Sequence, residues 1–460
     1  MELEEQTIQE QFEHVIATED KLAIRDFLDD QNIADVAELI NENEEFAAQI
    51  IANLSIHRAA STFKILDFNV QKDIVADLPS FKTAELLNEL QADDRTDFLE
   101  DLPKDVLRDL IKLLDPEERM ITLSLLGYPE DSVGRLMNPD YVYVHEHNTV
   151  AEAFHIIRKY AKSSETIDVI YVINEQGQLI DDLRIKEFIL ASPEKLVSEM
   201  MDERVISLHV NDDQEHANQV FKMNNRVALP VVDDNNMLLG IITIDDILWV
   251  ATEEYSEDMQ KMGGTEALDE PYLEMPLMRL FRKRVSWMVI LFLGELLTAS
   301  VMKNFEDEIA KAVVLALFIP LIISSGGNSG SQASTLIIQA MAVGEITVND
   351  WWRIIRREIL SGLMLGFVLG SLGFLRVILW QQFMPMYGEH YLFIALAVGF
   401  SLMGVVLWGT LSGSMLPLIL KRAGADPAVS SAPFVATLVD VTGLIIYFSV
   451  AYMFLEGLLL

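Results

Sequence analysis

The sequence predicts a multidomain chain: an all-α superhelical N-terminal domain, an α/β pair of repeated units, and a polytopic α-helical membrane domain with five transmembrane helices. Three observations predict it. The first is charge: the 460 residues carry a net charge of −37 and yet are 51% hydrophobic. Residues 271–460 hold 12 acidic and 12 basic residues, whereas residues 1–270 hold 59 and 22, so the whole excess lies in the first part. Such asymmetry separates an acidic, water-facing region from a neutral, apolar one. The second is a series of apolar runs in the later part, each near the roughly 20 residues that cross about 30 Å of hydrocarbon. The third is a pair of internal repeats in the acidic part.

Residues 1–130 read as short amphipathic helices. DLPSFKTAELLNEL (77–90) and DLPKDVLRDLIKLL (101–114) repeat at a spacing of 24 residues, and DPEERMITLSLL (115–126) follows. Proline at an early helical position marks each start. A repeat of this length predicts stacked helix pairs with no catalytic pattern. Residues 133–199 and 200–249 read as two copies of a strand–helix–strand–strand–helix unit. DVIYVINEQGQLIDDLRIKEFI (168–189) matches VALPVVDDNNMLLGIITIDDIL (227–248), each hairpin turning at Asp, Asn or Gly. Residues 250–280 are expected to form an acidic connecting helix and linker, the helix ending at Gly263 and Gly264. Glu253, Glu254, Glu257 and Asp258 share one face of it. That face is either plainly solvated or joined to another acidic surface through cations, since like-charged faces repel when bare and attract across divalent ions.

The membrane domain, 281–460, has apolar runs at about 285–302, 309–343, 359–379, 392–420 and 434–455. Three basic clusters fall on one side of five spans: Arg279, Arg282, Lys283 and Arg284; Arg353, Arg356 and Arg357; Lys421 and Arg422. The opposite loops, 304–308 and 381–390, carry little or no positive charge, which places the N-terminus in the cytoplasm and the C-terminus outside. The opening MELEEQTIQEQ is acidic and lacks an apolar core, so no cleaved signal peptide is expected and the chain is placed in a bacterial cytoplasmic membrane. The second run is interrupted by SSGGNSGSQ (324–332). Hydrocarbon cannot satisfy the backbone of such a stretch if it unwinds, so unwound backbone lining a water-filled cavity is expected there. Pro320 and Pro417 predict bends. Two acids, Glu295 and Asp440, lie within spans. A carboxylate at mid-bilayer costs about 2.5–3.5 kcal/mol on insertion scales, so each must face protein, water or an ion. Either can hydrogen-bond a serine or threonine on a neighbouring helix; Asp440 has no basic partner in its span. Carboxylate, carbonyl and water together suit a hard cation such as Mg²⁺ or Ca²⁺.

Several classes are excluded or disfavoured. The acidic balance argues against nucleic acid as a partner. With no cysteine there are no disulfides, thiolate metal sites or cysteine nucleophiles. No GxxxxGK[ST] motif is present, and His145, His147, His209 and His216 lack an H-E-x-x-H arrangement. No nucleophile–base pair can be nominated, so an enzyme is not expected.

LPVVDDNNMLLGIITIDDIL resembles a CBS domain, and the first copy is similar, with LIDDLRIKE in place of the usual pattern. CBS pairs are regulatory modules that often dimerise and often bind adenine nucleotides, so ATP is an expected ligand of this pair. The whole order resembles the MgtE family of magnesium channels, over essentially the full chain. PLIISSGGNSGSQ (320–332) and PFVATLVDVTGLIIYF (433–448) carry the likeness most specifically. The resemblance implies a homodimer in a lipid bilayer, with the ion path between the two membrane domains, selective for Mg²⁺ among divalent cations and gated by Mg²⁺. It places a pore metal site at Asp440 with Ala436, Gly326, Gly327 and Asn328. It places sensor ligands at Asp94, Asp97, Asp213, Glu215, Asp246, Glu254, Glu257 and Asp258, bridged by cytosolic Mg²⁺ when the pore closes. Trp249 and Asn225 depart from the pattern where an acid is expected, and Ala432 stands where some members have an amide. A coupled transporter of Mg²⁺ or Co²⁺, driven by H⁺ or Na⁺, is the alternative. A membrane-anchored nucleotide sensor that moves no ions would leave Asp440 unexplained.

Overall fold

The structure is a computed structural model that describes residues 8–16, 20–202, 204–268, 271–273 and 275–458. It divides into two compact units, one ending at residue 251 and the other beginning at 252.

The first unit opens with ten α-helices, among the described residues, between Ile8 and Leu125. Helices this short are marginal alone in water, so packing holds them. Phe12, Ile24, Leu28, Ile40, Ile50, Phe63, Leu87 and Leu99 form the core of the stack, each at most 2% exposed. The DLP repeat does what its proline predicts. Pro79 and Pro103 occupy the cap positions of helices Ser80–Glu89 and Lys104–Ile111, and Pro116 opens Pro116–Leu125. A missing N–H costs nothing at these positions because no intrahelical acceptor exists there.

The repeated units follow in the predicted order. β1 (Tyr143–His145), helix Val150–Tyr160, β2 (Val169–Ile173), β3 (Leu179–Arg184) and helix Ile185–Leu190 make the first; β4 (Leu208–His209), helix Gln214–Asn224, β5 (Ala228–Val232), β6 (Leu238–Thr243) and a final helix make the second. In each, the first strand pairs parallel with the second, and the second antiparallel with the third. β2 and β5 are buried along their whole length, as central strands covered on both faces must be. The hairpin turns join the two sheets: Leu179 N donates to Asn236 O at 2.9 Å, and Asn236 Nδ2 donates to Leu179 O at 2.7 Å. Asn225, where an acid was expected, ends helix Gln214–Asn224 in the left-handed region (φ 51°), a conformation that asparagine tolerates. Trp249 is exposed.

The connecting helix has no break at residue 250. It is one helix, Ile244–Met262, continuous with the second repeat, and it ends at Gly264 with φ 77°.

Among the described residues, the second unit contains five helices long and apolar enough to cross a membrane: Leu277–Asn304, Val313–Ala342, Val348–Phe383, Tyr391–Arg422 and Ala432–Leu455. They are called the first to fifth membrane helices below. The fourth lies at the centre, packed by the second, third and fifth. The expectation of unwound backbone at 324–332 is corrected: the whole motif is helical, within Ile319–Ala342. The break lies earlier, at Leu317–Phe318, between the short turn Val313–Ala316 and Ile319, where Pro320 sits in a first turn. Tyr447 Oη donates to Leu315 O at 2.8 Å, adding a second bond to a carbonyl that also accepts from Phe318 N at 3.1 Å. Pro417 likewise lies inside the continuous fourth helix. The motif's glycines allow close packing instead. A Cβ placed on Gly409 would lie 2.4 Å from Gly326 O, and one on Gly413 only 2.1 Å from Gly330 O. Small residues at crossings are what lets membrane helices approach this closely.

Candidate functional site

Asp440 lies about a third of the way along the fifth membrane helix, half-buried, and it makes no hydrogen bond to any described residue. Gly327 of the second helix faces it. A Cβ at Gly327 would sit 3.4 Å from Ala436 Cβ and 3.7 Å from Asp440 Oδ1. Thus Asp440, Ala436 and Gly327 meet at one place. Gly326 points instead into the helix packing, where a Cβ would be 2.4 Å from Val405 and 2.8 Å from Val439. Asn328 is exposed, its amide 3.4 Å from Ser324 Oγ. Because 324–332 is helical, the carbonyls of Gly326 and Gly327 belong to a helix rather than to unwound backbone. The remaining donor is a carboxylate whose oxygens are free for water and a cation.

Ser331 of the motif and Ser334, two residues beyond it, have a separate task. Ser331 Oγ donates to Ala432 O at 2.9 Å, and Ser334 Oγ to Ser430 O at 2.9 Å. They tie the second helix to the start of the fifth, the helix that carries Asp440. The end of the connecting helix is tied to the same region. Lys261 pairs with Glu257 on its own helix and, at 2.7 Å, with Asp426 in the loop before the fifth helix. Asp426 also accepts from Ala428 N at 2.8 Å, and Gly264 packs against Pro433 and Ser431. Glu257 is therefore held by an ammonium group, while Glu254 and Asp258 share its helix.

A second site forms in the first unit. Asp94, on helix Ala92–Glu100, and Asp246, at the start of the connecting helix, come within electrostatic reach of each other and of Asp93, Glu165 and Asp245. Asn138 Nδ2 bridges Asp93 Oδ1 (3.1 Å) and Glu165 Oε2 (2.8 Å). Thr243 Oγ1 lies 2.5 Å from Asp246 Oδ2 and 2.6 Å from Asp245 Oδ1, so its single proton is shared between the two carboxylates. Lys64 stands 3.3 Å from Asp94. Burial first, then the neighbouring carboxylates, push Asp93 well above the usual range, Glu165 to about 7 and Asp246 to about 6. Asp94 is also raised by burial, against the pull of Lys64. The other positions expected to bind sensor ions lie elsewhere. Asp97 is exposed on the outer side of its helix, and Asp213 caps helix Gln214–Asn224 by accepting from Glu215 N at 2.8 Å. Asp93, Glu165, Asn138 and Lys64 were not anticipated; the acidic doublets at 93–94 and 245–246 were the available signal.

The excess of carboxylates over Lys64 fits a hydrated divalent cation. Among the described residues no three His, Asp or Glu side chains are placed to cage an ion. Mg²⁺ does not require a cage, since it keeps several waters and binds through one or two carboxylates. The raised values have a consequence for stability. A carboxylate whose folded-state value is raised stabilises the fold at low pH and loses that contribution as pH rises from the ordinary range, about 4.5, through its shifted value. The first thermal transition of the chain in chelator is expected to fall as pH rises through about 7, and Mg²⁺ should raise it more above that pH than below. Melts in chelator and in Mg²⁺ at both ends of this window check it.

The paired repeats also enclose a cleft of about 890 Å³, lined among others by Asp168, Arg184, Lys186, Phe221, Lys222 and Arg226. Arg226 is held by Asp182 at 2.6 Å. Cations beside an aromatic and aliphatic wall have the chemistry of a nucleotide phosphate site.

The fold defines a class: a multi-pass membrane protein whose spans follow a helical domain and a pair of strand–helix–strand–strand–helix repeats. Family comparison agrees with each part. Residues 31–131 match the MgtE intracellular N domain, 133–193 and 197–253 match CBS domains, and 319–450 match the MgtE divalent cation transporter domain. The chain is 39% identical to the magnesium transporter MgtE of Thermus thermophilus over 345 residues, 75% of each chain. It is 33% identical to that of Bacillus subtilis over 75% of this chain and 74% of the relative. A crystal structure of the cytosolic domain of the Mg²⁺ channel MgtE in complex with ATP is similar, with 33% identity and a TM-score of 0.50, over 52% of this chain and 98% of that one. The chain belongs to the MgtE family of magnesium transporters.

Proposed function

We propose that this chain is an Mg²⁺-selective channel for magnesium uptake that cytosolic Mg²⁺ closes. The observation that carries the pore is Asp440: a half-buried carboxylate inside a membrane-crossing helix, without a protein hydrogen bond among the described residues, facing a glycine that leaves room beside it. A carboxylate kept at that depth is supported only by water or an ion. Mg²⁺ dehydrates reluctantly, so one carboxylate per subunit of a homodimer can select it with several waters retained. Sensing falls to the cluster of Asp93, Asp94, Glu165, Asp245 and Asp246, which joins the helical domain to both repeats. Mg²⁺ there stabilises the closed arrangement; without it, mutual repulsion favours the open one. Glu254, Glu257 and Asp258 of the connecting helix, with Asp97, Asp213 and Glu215, add further weak sites. The cleft of the paired repeats holds ATP, its phosphates against Lys186, Lys222 and Arg184. The basic clusters orient the chain with its N-terminus in the cytoplasm of a bacterial cell and its C-terminus outside.

Asp94→Asn with Asp246→Asn in one chain is the test of the sensor. The expected result is intact uptake with the inhibition curve for cytosolic Mg²⁺ shifted about tenfold upward, the equivalent of about 1.4 kcal/mol of lost differential binding. An unshifted curve would assign sensing to other residues.

A further inference from the structure

Glu295 is the second acid within a span, and the reading above leaves it without a role. It sits about two-thirds of the way along the first membrane helix, Leu277–Asn304, which is hardly covered by the rest of the unit: 6% of its apolar window is buried. Glu295 itself is exposed, and no hydrogen bond or ion pair links it to a described residue. The basic residues of this helix stand at its ends, Arg279 to Arg284 on one side and Lys303 on the other. An exposed carboxylate within such a helix cannot rest in hydrocarbon at low cost, so it faces an aqueous path or a charge.

The packing says which path. Gly294, its neighbour, lies against the fifth membrane helix so closely that a Cβ there would be 2.7 Å from Thr437 Cγ2. Thr437 is three residues, just under one turn, before Asp440. Glu295 is consequently near enough to act on Asp440 electrostatically. Thr298, three residues on from Glu295, buries a hydroxyl that finds no hydrogen-bond partner among the described residues. The first helix thus brings a carboxylate, with polar atoms on the same helix, to the one place where the fifth helix carries its acid.

We propose that Glu295 is a second pore carboxylate, which faces the same ion path as Asp440 and sets how strongly that path prefers divalent over monovalent cations. The proposal rests on the reading of Asp440 as the pore acid. Two carboxylates per subunit double the charge that a hydrated dication meets, and a dication gains twice what a monovalent ion gains from each. Glu295 raises occupancy at low Mg²⁺, while Asp440, packed against Ala436 and Gly327, remains the site itself.

Initial Mg²⁺ uptake by the full chain in proteoliposomes, with and without competing Na⁺, tests this in Glu295→Gln, Glu295→Asp and Asp440→Asn. Glu295→Gln keeps the shape and removes the charge. It is expected to raise the half-saturating Mg²⁺ concentration about tenfold and to increase inhibition by Na⁺, with little change in maximal rate; Glu295→Asp should recover most of both. A half-saturating concentration and Na⁺ sensitivity equal to wild type in Glu295→Gln would overturn the proposal. Wild-type uptake in Asp440→Asn would instead overturn the pore reading beneath it. Because the chain has no cysteine, Glu295→Cys gives an independent readout. A negatively charged methanethiosulfonate should restore low-Mg²⁺ uptake and a positively charged one should suppress it. Absence of reaction from water would place residue 295 in lipid and contradict the proposal, whatever the other variants do.

Discussion

Asp440→Ala should abolish magnesium uptake while leaving the protein folded. The side chain makes no hydrogen bond among the described residues, so its removal breaks no network. What it removes is attraction for the ion. A dication about 5 Å from a carboxylate at an effective dielectric near 20 gains roughly 6 kcal/mol before desolvation. If only about 2 kcal/mol of that survives, occupancy of the site drops about 30-fold. Flux measured with a magnesium indicator inside proteoliposomes should fall at least that far. Size-exclusion profile and melting should stay near wild type, because a half-buried charge has been taken out of the membrane rather than put in.

Gly413→Leu should have the opposite signature: loss of assembly first, and loss of uptake as its consequence. The fourth helix is the centre of the membrane unit, and at Gly413 even a methyl group would sit 2.1 Å from the backbone oxygen of Gly330. A backbone atom cannot move aside as a side-chain tip can, so the two helices must separate. Overpacking costs about 1–3 kcal/mol where relaxation is easy, and Gly413→Ala alone should reach that range. Leucine should exceed it, giving aggregation on extraction. Gly404→Ala is the control, since its Cβ would meet only the tip of Ile446, at 3.2 Å. Melting of the detergent-solubilised variants ranks the three.

These two residues illustrate what could be read from the chain and what could not. Asp440 stood out because a lone carboxylate in an apolar run has few physical explanations, and the structure places it beside Ala436 and Gly327. The five spans, the DLP helices and both strand–helix–strand–strand units were legible for similar reasons, since period, proline and turn residues all act locally. The glycine motif was misread. Its composition indicated a special backbone, and unwinding and close helix crossing both demand small residues; only the placement of Gly409 and Gly413 opposite Gly326 and Gly330 separates them. The departure from regular α-helix lies instead at Leu317–Phe318, a turn that no glycine marks, where Phe318 N still donates to Leu315 O and a distant tyrosine adds a second bond to that carbonyl. The acidic cluster was half visible. Asp94 and Asp246 were reached through the family resemblance, whereas Glu165 lies in an ordinary loop and joins the cluster by meeting Asn138, which also holds Asp93, across the fold. Nothing local in the sequence could announce that meeting. Glu257 shows the reverse: a plausible metal ligand on helical spacing alone, it is paired with Lys261, whose second partner lies far along the chain at Asp426.

The central claim is that one chain carries both a pore and the sensor that closes it. Patch-clamp recording from the purified full chain in liposomes, with cytosolic-side Mg²⁺ stepped from zero to about 10–20 mM, the range of weak carboxylate sites, tests it most directly. The account predicts unitary Mg²⁺ currents at low Mg²⁺ whose open probability falls as Mg²⁺ rises. Slow Mg²⁺ uptake without unitary current, dependent on a proton or sodium gradient and indifferent to cytosolic Mg²⁺, would contradict it.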